Sequence, residues 1–117
     1  MTEQNNSMLN QCVEAVLDRK AFDVVVLDLR GLVAFADTFI ICSGRSHRQV
    51  SSIAESVEQD LKANGIRPIG VEGLREGHWV LMDYGDVVIH IFYEPIRTFY
   101  DLEGLWSDAK RIEQSNA

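Results

Sequence analysis

The sequence predicts an α/β (α+β) domain, with a mixed β-sheet of about five strands and helices packed on it. A β-branched run at residues 24–27 has the length of a buried strand, and apolar residues between Val50 and Leu61 recur at helical spacing. Two alternating runs meet at a glycine near residue 85. The 117 residues are 46% hydrophobic and 25% charged, which is typical of one globular domain. We expect a single domain over 1–117, with flexible ends at 1–6 and 113–117.

The N-terminal part predicts one helix followed by two strands. Apolar residues at helical spacing predict the helix over about 9–17, with Asn6 or Ser7 as its cap. The continuous apolar runs at 22–27 and 38–42 predict strands, and the segment between them predicts an irregular loop.

A second helix has the clearest local signals in the chain. Ser46 is followed by Gln49 three residues later, which is the capping-box pattern of a helix start. The apolar stripe from Val50 to Leu61 predicts the buried side. Asn64-Gly65 predicts the end, because glycine readily adopts the left-handed conformation that follows a helix.

The C-terminal half predicts the rest of the sheet and a short helix. A third strand is expected at 67–71, followed by a hairpin of strands 78–83 and 86–93. Tyr84-Gly85 is predicted as the two-residue turn of that hairpin. Alternate residues of the last strand should face opposite sides of the sheet. Pro95 predicts a short helix to residue 100, and 101–112 predicts an irregular or helical tail.

Charge and cysteine content restrict the classes of function. The net charge is −7 and the pI is about 4.8, so nonspecific binding to nucleic acid, which needs Lys and Arg, is disfavoured. We expect a basic protein partner and no sequence-specific nucleic-acid contact. The first ten residues are polar, so we expect no signal peptide, and no apolar run approaches the ~20 residues of a membrane span. Cys12 and Cys42 stand apart, so we expect a cytoplasmic protein with reduced thiols and no membrane segment.

One candidate anion site lies between the second strand and the second helix. Its residues are Gly44, Arg45, Ser46 and Arg48. Backbone N–H groups and the helix dipole favour an anion there, and the arginines add charge. A capped helix start with solvated arginines is the commoner explanation of this pattern. The anion site would suit a nucleotide-binding or nucleotidyltransferase-type enzyme, and Arg45 and Arg48 would also suit an RNA-contacting assembly factor.

The sequence spacing of the His, Cys and Asp residues disfavours both a zinc site and a carboxylate-bound metal site for nucleotidyl transfer. The possible metal ligands are Cys42, His47, His78 and His90, and they match no known zinc pattern. The carboxylates near strand ends are Asp23, Asp28, Asp83 and Asp86, and none forms the Asp-x-Asp pair that holds metal ions for nucleotidyl transfer. We therefore predict no metal, no cofactor, no catalytic residue and no enzymatic activity.

Acidic and aromatic residues are concentrated between positions 72 and 108. Eight acidic residues stand there against Arg75 and Arg97, which gives about −6 of the total charge. Both tryptophans and all three tyrosines lie in the same segment. Aromatic anchors within a charged rim are typical of protein interfaces. Some of these rings should belong to the core, and we expect Phe92 and Phe99 among them.

Five segments then stand in order along the chain. They are DVVVLDL at 23–29, ADTFIICSGRS at 36–46, GVEG at 70–73, WVLMDYGDVVIHIF at 79–92 and YDLEGLW at 100–106. Together they resemble the ribosomal silencing factor family (RsfS, also called Iojap) over about residues 9–111. The segments at 79–92 and 102–106 are highly specific to that family.

The resemblance implies a nucleotidyltransferase-like fold that lacks catalytic carboxylates. It implies a translational repressor that binds the large ribosomal subunit through ribosomal protein L-fourteen and blocks joining of the small subunit when nutrients are short. It also implies a homodimer when the protein is free. The contact surface expected on this basis comprises Trp79, Asp83, Tyr84, Asp86, Tyr93, Arg97, Tyr100 and Glu103.

Overall fold

A mixed α+β fold is described for residues 2–112, with side chains from residue 8 onward, in a computed structural model. The predicted fold class is confirmed, and a short sixth strand joins the five that were expected. The elements are α1 (Thr2–Leu17), β1 (Phe22–Asp28), β2 (Thr38–Gly44), α2 (His47–Ala63), β3 (Gly70–Glu72), β4 (Trp79–Asp83), β5 (Val87–Tyr93), α3 (Glu94–Tyr100), α4 (Leu102–Leu105) and β6 (Lys110–Arg111). None of the described helices is both long and apolar enough to cross a bilayer. The predicted flexibility of 1–6 and 113–117 stays a prediction, and Met1 and 113–117 lie outside the described residues.

The sheet has the order β3-β4-β5-β2-β1-β6. Neighbouring strands run antiparallel except for β2 and β5, which are parallel. All seven residues of β2 are buried, as expected for a continuous apolar strand at the centre of a sheet. The predicted strand at 67–71 is shorter and later, at Gly70–Glu72, and Pro68 before it has no N–H to donate to a ladder.

The two long helices differ in how well their boundaries were predicted. For α2 the capping box is confirmed, since Ser46 Oγ accepts the Gln49 N–H at 3.0 Å. Its end is confirmed as well, with Asn64 as the C-cap and Gly65 at φ +82°. For α1 the predicted cap at Asn6 or Ser7 is wrong, because the helix already begins at Thr2.

The hairpin of β4 and β5 turns one residue later than predicted. The Tyr84 N–H donates to the Val87 carbonyl at 2.9 Å, so the two turn residues are Gly85 and Asp86 rather than Tyr84 and Gly85. Gly85 has φ +89° and Asp86 does not have a positive φ, which is the pattern of a type II′ turn. That turn has glycine at its first central position. The Asp83 carboxylate accepts the Gly85 N–H at 2.8 Å and fixes the turn from inside.

The sheet buries a separate core on each of its two faces. On the helix face, α1 and α2 cover a mainly aliphatic cluster that includes Val87, Ile89 and Ile91. On the aromatic face, α3, α4 and the loop at 29–37 partly cover a cluster that includes Val88, Phe92, Phe39 and Trp79. The predicted alternation along β5 is therefore confirmed.

Candidate functional site

The aromatic face leaves large apolar side chains in solvent. Phe99 and Tyr100 at the end of α3 are 79% and 53% exposed, and their ring centroids are 5.2 Å apart. Tyr100 in turn lies 5.0 Å from the half-buried ring of Trp79. The prediction of Phe92 in the core is confirmed, and that of Phe99 is wrong. Ile96 is the α3 side chain that packs into the aromatic cluster, and Phe99 lies away from it.

Two of the eight predicted contact residues are buried and are removed from the expected surface. Tyr84 is 7% exposed and packs in the core of the helix face, where burial raises the pKa of its hydroxyl. It lies there because it still belongs to the strand ladder, one residue before the turn. Arg97 is 9% exposed, and its guanidinium is occupied by contacts within the chain.

The other six predicted contact residues fall into two groups. Trp79, Tyr93, Tyr100 and Glu103 lie toward the end of the hairpin that continues into α3, but Tyr93 is on the helix face and Trp79 is on the aromatic face. Asp83 and Asp86 lie at the turn end. The two ends of the five-residue strand β4 are about 13 Å apart at the usual rise per residue. The structure therefore does not bring the predicted contact residues together into one cluster.

Arg97 fastens the C-terminal helices to the sheet. Its guanidinium donates to the Asp23 carbonyl at 2.7 Å and to Ser43 Oγ at 2.8 Å. Two further N–H groups reach the two oxygens of the Glu103 carboxylate, each at 2.9 Å. These hydrogen bonds lower the pKa of Glu103 below its usual value. No sequence spacing indicates this network, because Arg97 lies 54 and 74 residues from its partners in β2 and β1.

The predicted anion site has the contacts of an ordinary capped helix. Ser46 caps α2, and the Gln49 side chain accepts the Arg45 N–H. The Arg45 guanidinium lies 4.6 Å from the centre of the Phe22 ring. A Cβ at Gly44 would come within 2.9 Å of Val50, so packing alone requires glycine there. These contacts account for the pattern without a ligand, and anion binding at Gly44, Arg45, Ser46 and Arg48 stays a prediction.

His90 lies inside the aromatic face. The Trp79 indole N–H donates to His90 Nδ1 at 3.0 Å, which assigns the imidazole proton to Nε2. His90 Nε2 has no hydrogen-bond partner, and burial lowers the pKa of this imidazole to about 4. His90 is therefore neutral at physiological pH. Burial also raises the thiol pKa of Cys12 and of Cys42 to about 12, so both remain protonated.

A different pair of histidines meets at the start of α2. His47 Nε2 and His78 Nδ1 are 3.1 Å apart, and both side chains are exposed. The ring of Tyr93 packs edge-on against His47, with centroids 4.3 Å apart. Among the described residues, no group of three or more His, Cys, Asp or Glu side chains is arranged to hold a metal ion.

Comparison with known proteins finds close relatives over nearly the whole chain. A family model described as "Ribosomal silencing factor during starvation" matches residues 2–117. The ribosomal silencing factor RsfS of Halalkalibacterium halodurans is 42% identical over 109 residues, which cover 93% of each chain. The Bacillus subtilis protein of the same name is 43% identical over 103 residues, 88% of this chain and 87% of that one. The chloroplastic protein Iojap of Arabidopsis thaliana is 38% identical over 96 residues, 82% of this chain and 40% of its own length.

Solved structures have the same fold. A crystal structure of a Chromobacterium violaceum protein superposes with a TM-score of 0.84 at 38% identity, covering 87% of this chain and 85% of that one. A crystal structure of a Bacillus halodurans protein superposes with a TM-score of 0.83 at 38% identity, covering 93% and 99%.

Proposed function

The chain belongs to the family of ribosomal silencing factors, and from that premise we propose that it represses translation by occupying the large ribosomal subunit. It binds there through ribosomal protein L-fourteen and blocks joining of the small subunit when nutrients are short. Occupancy requires affinity and no chemical step, so no catalytic residue or cofactor is assigned. The protein acts in the cytoplasm and is a homodimer when free.

The exposed aromatic pair on α3 is the observation that carries this proposal. Phe99 and Tyr100 are adjacent and exposed, the exposed Asp101 follows them directly, and the exposed Glu94 begins the same helix. Contiguous exposed apolar surface with a polar rim is typical of a protein-binding site. Trp79 extends this surface onto the start of β4, whereas Tyr93 lies on the helix face against His47 and is not part of it.

The charge of the chain suits a basic partner. The net charge of −7 gives long-range attraction to a positively charged protein patch, and ribosomal proteins are basic. Glu103 contributes little to the attraction for a basic partner, because its carboxylate is already paired with Arg97. The proposed contact group is therefore Trp79, Glu94, Phe99, Tyr100 and Asp101, and Asp83 and Asp86 form a second acidic group to be tested separately.

Co-sedimentation with purified large subunits tests the aromatic pair. We expect Phe99→Ala combined with Tyr100→Ala to weaken binding by at least about 30-fold, since loss of a central interface aromatic commonly costs 2 kcal/mol or more. The unfolding free energy should change by less than about 0.5 kcal/mol, as for other exposed positions. Ile69→Ala is the matched control, because Ile69 is 76% exposed and precedes β3, where its N–H donates to the Asp83 carbonyl at the turn end. Equal binding of the double variant and the wild type would refute the proposed surface.

Charge reversal distinguishes the two acidic groups. Glu94→Lys should reduce binding and its dependence on salt, whereas Asp86→Lys should do so only if the turn end also faces the partner. Asp83 is unsuitable for this test because its carboxylate holds the turn through the Gly85 N–H. If Asp86→Lys is the more damaging of the two, the contact surface lies at the turn end instead.

A further inference from the structure

We propose that His47 and His78 form a binding site for a divalent transition-metal ion of the Zn²⁺, Cu²⁺ or Ni²⁺ class. Their facing ring nitrogens are 3.1 Å apart, with the ring planes at 86°. Both side chains are exposed, so an ion can reach them from solvent. This site is independent of the ribosome contact and of the family relationship.

The distance between the two nitrogens fits a shared ion. A metal–imidazole bond is about 2.0–2.1 Å, so two nitrogens on one ion lie roughly 2.9–3.4 Å apart for angles between 90° and 109°. The observed 3.1 Å falls inside that range. The separation of the two nitrogens therefore already matches that of two ligands on one ion.

The backbone around the pair is fixed by packing. His47 begins α2, and the loop before β4 packs so closely on it that a Cβ at Gly77 would overlap the His47 carbonyl oxygen. Ser51 Oγ donates to the Leu74 carbonyl at 2.7 Å, which ties the same loop to α2. The Tyr93 N–H donates to the His78 carbonyl at 2.9 Å and holds the other histidine to β5. The two ligands are thus positioned before any ion arrives.

The chemistry of the pair selects the class of ion. Neutral imidazole suits Zn²⁺, Cu²⁺ and Ni²⁺, whereas Mg²⁺ and Ca²⁺ prefer oxygen ligands. In the metal-free pair one of the two facing nitrogens carries the proton of the hydrogen bond. When the ion binds, that proton moves to the other nitrogen of the same ring through solvent, and the ion takes its place between the two facing nitrogens. Two protein ligands leave the remaining positions to water, so the site is an open one. The acidic chain adds a general attraction for cations.

Calorimetric titration of the full-length, tag-free protein with ZnCl₂ tests the site. We expect one ion per chain, and we expect His47→Gln and His78→Gln each to weaken binding by at least about tenfold, since even the loss of an outer-shell partner costs 10–100-fold. Both positions are exposed, so the variants should fold, and circular dichroism checks this. MgCl₂ should give no binding. Absence of Zn²⁺ binding at millimolar concentration, or unchanged binding by both variants, would overturn the proposal.

Nitrogen NMR of the histidine rings gives a second readout. Addition of Zn²⁺ should shift the signals of His47 Nε2 and His78 Nδ1 and leave those of the buried His90 in place. A shift at only one of the two exposed rings would show a single-ligand surface contact and refute the paired site. Subunit co-sedimentation of the two variants should match the wild type, so failure here and failure of the ribosome proposal are distinguishable.

Discussion

The two faces of the sheet are built from alternate residues of the same strands, but they differ in cover and in chemistry. In β5, Val87, Ile89 and Ile91 lie under two long helices, while Val88, His90 and Phe92 lie on the aromatic face. The helix face is closed by apolar packing. The aromatic face contains a part-buried ion pair and a buried histidine, and it leaves aromatic rings exposed. The comparison indicates that one face supplies stability and the other supplies the surface for a partner.

The largest expected change in stability comes from removing the ion pair between Arg97 and Glu103 on the aromatic face. Arg97→Ala deletes four hydrogen bonds of a buried guanidinium and leaves the part-buried carboxylate of Glu103 only Arg111, at 4.0 Å. Loss of one member of a buried pair typically costs about 3–5 kcal/mol, and we expect a cost near the lower end of that range. Urea unfolding measures the change. Arg30→Ala is the matched control, because Arg30 is exposed and pairs with Asp28 on the surface, where solvent screens the interaction, so its loss should cost much less. Similar costs for the two variants would contradict a special role for Arg97.

The same pair predicts a pH dependence. Arg97 lowers the pKa of Glu103 from its usual 4.5, so its contribution to stability is present above that pH and is lost as the pH falls through the lowered pKa. The difference in unfolding free energy between wild type and Arg97→Ala should therefore shrink in acid.

The second test concerns the buried histidine of the aromatic face. The pKa of His90 is lowered from 6.5 to about 4, so between these values the unfolded chain binds a proton that the folded chain does not. Stability should fall as the pH drops from 6.5 to 4, by up to about 3 kcal/mol at 1.36 kcal/mol per pKa unit. His90→Gln should flatten the urea-unfolding profile over this range. An unchanged slope in His90→Gln would place the titration outside the aromatic face.

The smallest expected changes in stability come from one conservative substitution on each face, which compares how tightly the two cores are packed. Ile89→Val on the helix face removes one methyl group from a fully buried site and should cost about 0.5–1.5 kcal/mol. Leu81→Val on the aromatic face acts at a half-buried site and should cost less than about 0.5 kcal/mol. Thermal or urea unfolding of the two variants gives the comparison. A larger cost for Leu81→Val would show that the aromatic face is packed as tightly as the other.

The sequence predicted those features whose causes are local. Helix α2 was located because its cap, its apolar stripe and its terminal glycine lie within one short stretch. The opposite orientations of alternate β5 residues follow from strand geometry alone. The turn was misplaced by one residue because Tyr84-Gly85 and Gly85-Asp86 are both acceptable pairs, and only the ladder between the strands decides.

The features that were missed depend on residues distant in sequence. The burial of Arg97 and the exposure of Phe99 follow from how α3 lies on β2 and β5, with Arg97 reaching across to β1, and no local pattern specifies this. His47 and His78 are separated by 31 residues and match no ligand spacing, so only the fold brings them together. Strand β6 has two residues and no apolar alternation, and its pairing with β1 gives no sequence signal.

The central position of β2 has a consequence for synthesis of the chain. Thr38 pairs with Val87 and Gly44 with Tyr93. The β5 partner of each β2 residue is therefore synthesised 49 residues after it. At 5–20 residues per second, that delay is about 2–10 s, during which one edge of an apolar strand has no neighbour. We expect the nascent chain to need shielding in this interval, and a stall inserted after α2 should increase aggregation. A protein proposed to act on ribosomes is thus most vulnerable while it is still attached to one.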